Sequence, residues 1–119
     1  MSFYIVLSGK TTSFSSHFTK TYNLRGEWEV AVTSSIINGE SKAKMYWTMC
    51  DVADYSYVND IPMQLVDIML ADVKKSIKPM YVKVIKKRFS SINIELKQDP
   101  NKEEISALDI TCILHFRKA

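Results

Sequence analysis

The chain is short of the residues that usually carry chemistry. Its 119 residues include two cysteines, three glycines, three prolines and two histidines. Cys50 and Cys112 lie far apart inside apolar stretches and show no C-x-x-C spacing, so they read as two buried free thiols, with a single disulfide as the alternative. No N-x-S/T sequon occurs. G-x-S-x-G is absent, and Ser8-Gly9-Lys10-Thr11 lacks the first glycine and spacer of a phosphate-binding loop. No apolar run approaches the roughly 18 residues that a membrane-spanning helix needs. The opening MSFYIVLSGK has no basic segment and a short apolar stretch, unlike a signal peptide. Internal repeats, low-complexity tracts and linkers are also lacking, so residues 1–119 are expected to form one domain. Nothing in this inventory supports an enzyme, a cofactor or a small-molecule substrate.

What remains is an apolar fraction of 46%, enough for an ordered core. Phe3–Leu7 reads as a strand, and Phe14, His17 or Phe18, and Tyr22 as an irregular extended piece. Trp28, Val30 and Val32 share a strand face opposite Glu27 and Glu29. Asn38-Gly39 suits a type I′ turn, so Trp28–Cys50 reads as a hairpin. Ile92, Ile94 and Leu96 alternate with polar residues. Leu108, Ile110, Cys112, Leu114 and Phe116 alternate more cleanly still, with a second face apolar enough to suggest a central strand. Pro79 precedes a strand over Met80–Ile85, and Asp99-Pro100-Asn101-Lys102 reads as a turn. Leu65, Val66, Met69, Leu70, Val73 and Ile77 follow helical spacing, with Asp60 as cap and Pro62 in the first turn. Local spacing therefore favours a short helix within 61–77, although Ile61–Leu70 is also a continuous apolar run that a buried strand can use. The fold class expected is all-β, a compact antiparallel β-sandwich with that helix as its exception.

Charge is unevenly placed. The net value is +3, yet Lys74, Lys75, Lys78, Lys83, Lys86, Lys87 and Arg88 crowd one stretch without an acidic residue. Such a stripe can attract nucleic acid or meet the acidic side of a neighbouring subunit. Tyr46 or Trp47 would then offer a ring on which bases stack. Asp51 and Asp54 flank a segment that could hold calcium weakly, though loop solvation and turn formation account for them better. Tyr55 and Tyr57, in a polar loop, read as interface anchors.

Several segments in order resemble one family. Phe3-Tyr4-Ile5-Val6-Leu7 and Leu24-Arg25-Gly26-Glu27-Trp28-Glu29-Val30-Ala31-Val32 are similar to the amino-terminal pattern of minor capsid (penton-type) proteins of Polinton/Maverick elements and adintovirus-like DNA viruses. Tyr46–Asp51, Val58-Asn59-Asp60 with Pro62 and Leu65, Pro79–Val84, Phe89 with Ile92, Ile94 and Leu96, and Leu114-His115-Phe116-Arg117 continue the resemblance in a shortened form. It implies a single jelly roll, an extended segment where local spacing favours helix, and a capsid-type structural role. Its partners would be further copies of itself, in a ring, other capsid proteins and packaged DNA. The location implied is a virion, after assembly inside a host cell. The alternative is a small β-domain that binds nucleic acid through the 74–88 stripe.

Overall fold

In a computed structural model, residues 1–38, 45–58, 60–70, 75–76, 79–99 and 109–119 are described. They form β1 (Ser2–Gly9), β2 (Ser13–Asn23), β3 (Trp28–Asn38), β4 (Met45–Cys50), β5 (Ser56–Val58), β6 (Ile61–Met63), β7 (Leu65–Leu70), β8 (Lys75–Ser76), β9 (Val82–Lys83), β10 (Arg88–Asp99) and β11 (Asp109–Lys118). One sheet has the order β1-β11-β3-β9 and the other β2-β10-β4-β7-β8, while β5 and β6 form a ribbon of their own. Every pairing is antiparallel.

The order has a simple logic. First pairs with last (β1 with β11), then β2 with β10, β3 with β9 and β4 with β7. This is a long antiparallel ribbon wound back on itself, so that successive ribbon segments fall alternately in the two sheets. The winding adds the pairs β11–β3 and β10–β4. The result is a single jelly roll, with two sheets facing across one core.

Alternation decides which side chains enter that core. Ile5 and Leu7 of β1, Ile92, Ile94 and Leu96 of β10, and Ile110, Cys112, Leu114 and Phe116 of β11 are buried. On β3 the inward set is Trp28, Val30 and Val32, then Ser35 and Ile37, three residues on rather than two. A bulge absorbs the extra residue: Leu114 faces Val32, Ile113 faces Ser34, and Thr33 has no register partner. β11 is central, as its two apolar faces suggest, lying between β1 and β3. At one end the sheets are joined by stacked rings. Phe3 lies 4.9 Å from Phe116 and 5.5 Å from Tyr22, and Phe89 lies 5.3 Å from Tyr22. Phe18 closes this group edge-on against Tyr22.

Three expectations need correction. Trp28–Cys50 is not a hairpin, because β3 and β4 lie in opposite sheets, each with partners from later in the chain. Gly39, half of the expected turn, lies outside the described residues, as do Pro100–Lys102 of the other. Among the described residues the short helix is replaced by strands, and Val73 and Ile77 of the helical spacing lie outside them. Asp60 does not cap a helix but turns the chain with φ 64° between Val58 and Ile61. Leu65, Val66 and Met69 are buried on β7, which pairs with β4 on one side and β8 on the other. A strand covered on both faces needs no alternation, so its apolar run mimics helical spacing. The strand expected over Met80–Ile85 shrinks to β9 and a bridge between Val84 and Ala53. No helix of the described structure is long and apolar enough to cross a membrane.

Candidate functional site

The β5–β6 ribbon begins where Gln64 holds its base. The Gln64 side-chain amide donates to the carbonyls of Asp51 (3.0 Å) and Ala53 (2.8 Å), and Cys50 N donates to Gln64 O at 2.9 Å. The Asp54 carboxylate accepts from Tyr55 N at 2.7 Å, starting the outward turn. Beyond this clamp Ser56 faces Met63, Tyr57 faces Pro62 and Val58 faces Ile61. Pro62 is tolerated because the ribbon is two-stranded and every strand in it is an edge.

The ribbon shows apolar surface to solvent. Tyr57 is 75% exposed, Ile61 55% and Tyr55 54%, and Pro62 is exposed beside them. Exposed Ile85 sits on a segment tied back to the ribbon's approach, with Ile85 N donating to Val52 O at 2.9 Å. A two-stranded ribbon is marginal in water without a surface to pack on. Of the two tyrosines named from the sequence, Tyr57 lies on β5 and Tyr55 just before it, both exposed. Ile61 and Ile85 were missed. Ile61 was absorbed into a helix reading, and Ile85 into a strand whose burial pattern was not resolved by alternation.

Three lysines of the basic stretch lie beside carboxylates of their own chain. Lys83 and Lys87 both approach Glu27, at 3.6 Å each, and Lys86 approaches Asp51 at 3.7 Å. Arg88 starts β10, opposite Asn23. Lys74 and Lys78 lie outside the described residues, and of Lys75 only the backbone in β8 is described. Exposed pairs of this kind contribute little stability, yet each places a carboxylate within the local positive field. Tyr46 is buried, so its ring cannot stack on a base. Trp47 is partly buried, with its indole N–H 2.7 Å from Met45 Sδ.

The acidic residues have structural partners. Asp51 accepts from the backbone and side-chain N–H groups of Asn93, both at 3.0 Å, in addition to Lys86. Asp54 turns the chain. Asp67 is buried on β7 opposite buried Thr48, and Asp72 lies outside the described residues. Among the described residues no group of three or more His, Cys, Asp or Glu could hold a metal ion.

His17 and His115 are on different sheets. His115 lies on the outer face of β11, with its ring centroid 4.5 Å from that of Tyr4 and Nδ1 2.8 Å from the Tyr81 hydroxyl. Arg117 sits 3.4 Å above the Tyr81 ring and donates to Glu29 at 2.5 Å. Both cysteines are free and buried. Burial pushes the Cys50 thiol up to about 12 and the Cys112 thiol up to about 11. Neither supplies a thiolate at neutral pH.

No family model matches the chain, and no curated protein matches it either. A solved structure, "Acidic stable capsid structure of Helicobacter pylori bacteriophage KHP30", aligns with 14% identity over 100% of this chain and 95% of that one. The TM-score is 0.29, an overlap too slight to bear on fold or function.

Proposed function

We propose that this chain is a non-enzymatic structural protein of capsid type that assembles with further copies of itself through the β5–β6 ribbon. The observation that carries the reading is the ribbon itself: Tyr57 and Pro62 lie opposite each other and exposed on it, with exposed Tyr55 just before β5 and exposed Ile61 opposite Val58. Clustered aromatic and aliphatic side chains on a clamped base have the composition of interface centres. The jelly-roll topology and the ordered resemblance to penton-type minor capsid proteins favour a capsid setting. There, head-to-tail contacts that close by rotation would give a ring. A virion location and other capsid proteins as partners belong to the same proposal.

Nucleic-acid contact is the weaker reading. The described lysines at 83, 86 and 87 face carboxylates of their own chain, and Tyr46 is withdrawn from the surface.

The test replaces Tyr55 and Tyr57 by serine. Both rings are exposed, so the variant keeps its fold by circular dichroism. Light scattering after gel filtration is expected to show the unaltered chain in species larger than a dimer and the variant without them. An unaltered chain that runs at 13.7 kDa at every concentration overturns the proposal.

A further inference from the structure

β1 ends the first sheet, pairing with β11 on one side and with no described strand on the other. Its eight residues match β11 without a break, from Ser2 opposite Arg117 to Gly9 opposite Ile110. Monomeric proteins guard such an edge with charge, proline, a bulge or shortness. Ser2-Phe3-Tyr4-Ile5-Val6-Leu7-Ser8-Gly9 has none of these. The other described edges are guarded. β2 carries Lys20 and a register shift against β10, β9 is two residues long and one of them is Lys83, and β8 is also two residues long.

The outer face beside this edge is apolar as well. Tyr4 is 62% exposed and Val6 63%, and Val6 faces Ile113 across the ladder. Two residues further along, exposed Ile36 lies opposite Thr111.

We infer that β1 pairs edge-to-edge with β1 of a second copy, antiparallel about a two-fold axis at Ile5. This contact is separate from the ribbon and does not depend on it. The sequence of β1 is what selects a second copy. Antiparallel pairing centred on Ile5 sets Ile5 beside its own equivalent, Phe3 beside Leu7 and Tyr4 beside Val6. Inward residues thus meet inward residues and outward residues meet outward ones, as a continuous sandwich requires. Tyr4 beside Val6 is an aromatic–β-branched cross-strand pair, present twice by symmetry. With no charge on the strand, two chains of the same net sign meet there without opposing like charges. Two four-stranded sheets become one of eight strands.

The register provides its own test. All measurements are made in Tyr57→Ser protein, so that assembly through the ribbon does not enter, and the mass is read by sedimentation equilibrium. At about 100 μM, where an association with micromolar Kd is nearly complete, the parent is expected at twice 13.7 kDa. Tyr4→Lys with Val6→Lys sets lysine against lysine at both symmetric pairs and is expected to weaken dimerisation by about tenfold or more. Tyr4→Lys with Val6→Glu sets lysine against glutamate and is expected to restore it. Both positions are exposed, so neither change enters the core, and the second variant controls for loss of the Tyr4–His115 stack. A monomeric parent overturns the inference, as do two double variants that dimerise equally or fail equally. Loss of large species by Tyr57→Ser with the β1 dimer intact separates the two contacts.

Discussion

Gly9 and Gly26 are small for different reasons. A Cβ on Gly9 would lie 2.5 Å from Cδ1 and 2.8 Å from Cβ of Phe14, close to the root of a side chain packed on the core. Gly26 has open space around it but a φ of 85°. Gly9→Ala is therefore expected to lower stability by about 1–3 kcal/mol through crowding. Gly26→Ala should cost about 1–2 kcal/mol through backbone conformation alone. Urea unfolding measures both, and only the first should be relieved by Phe14→Ala, which removes Cγ and Cδ1. The same glycine that ends a false phosphate-loop motif is thus a packing residue.

The two thiols give a pH prediction. Desolvation is the main cause of both upward shifts, so the folded protein holds these protons until about pH 11 to 12, whereas the unfolded chain releases them near 9.0. The thiol contribution is fully present below that value and is lost as pH rises through the window, because the unfolded state binds fewer protons there. Alkylation at pH 8 should leave native protein unmodified and label both cysteines once urea is added. Rapid labelling of the native chain would show that the thiols are not buried as described. The apolar stretches around each cysteine made this legible in the sequence; the pairing of Asp51 with Asn93 was not, since nothing local links residues 42 positions apart.

At the scale of elements, period-2 patterns were read correctly where one strand face is solvated. β10 was visible in this way, and β11 showed the same period although its outer residues Thr111, Ile113 and His115 are half-buried. β7 was misread because burial on both faces erases the alternation that separates strand from helix. β3 and β4 were individually legible, but their assignment to opposite sheets depends on partners that arrive later in the chain. The ribbon was half legible: its tyrosines stood out, and its turn was hidden in a capping reading. Asp60 there has a left-handed backbone, so Asp60→Val is expected to destabilise by about 1–2 kcal/mol while Asp60→Gly does not. Comparative urea unfolding decides. Corner clamping makes a second contrast. Asp51 joins the turn after β4 to β10 through two hydrogen bonds from Asn93, whereas Glu27 only meets exposed lysines. Asp51→Ala should cost about 1–3 kcal/mol and Glu27→Ala less than about 1.

At the scale of the whole molecule, the proposed role rests on surfaces. A ribbon with exposed rings leaves one end, an uncharged eight-residue strand borders one flank, and a mixed-sign cluster joins Glu27 with Lys83 and Lys87. With own-chain carboxylates beside the described lysines, oligonucleotide binding at physiological salt should be no tighter than the nonspecific range of about 10⁻⁴–10⁻⁶ M. Fluorescence anisotropy with a labelled single strand measures it. The central claim is that this chain works by assembling. Sedimentation velocity of the unaltered protein over a wide concentration range tests it most directly. The account predicts mass rising with concentration to a discrete species larger than a dimer; a single 13.7 kDa species throughout contradicts it.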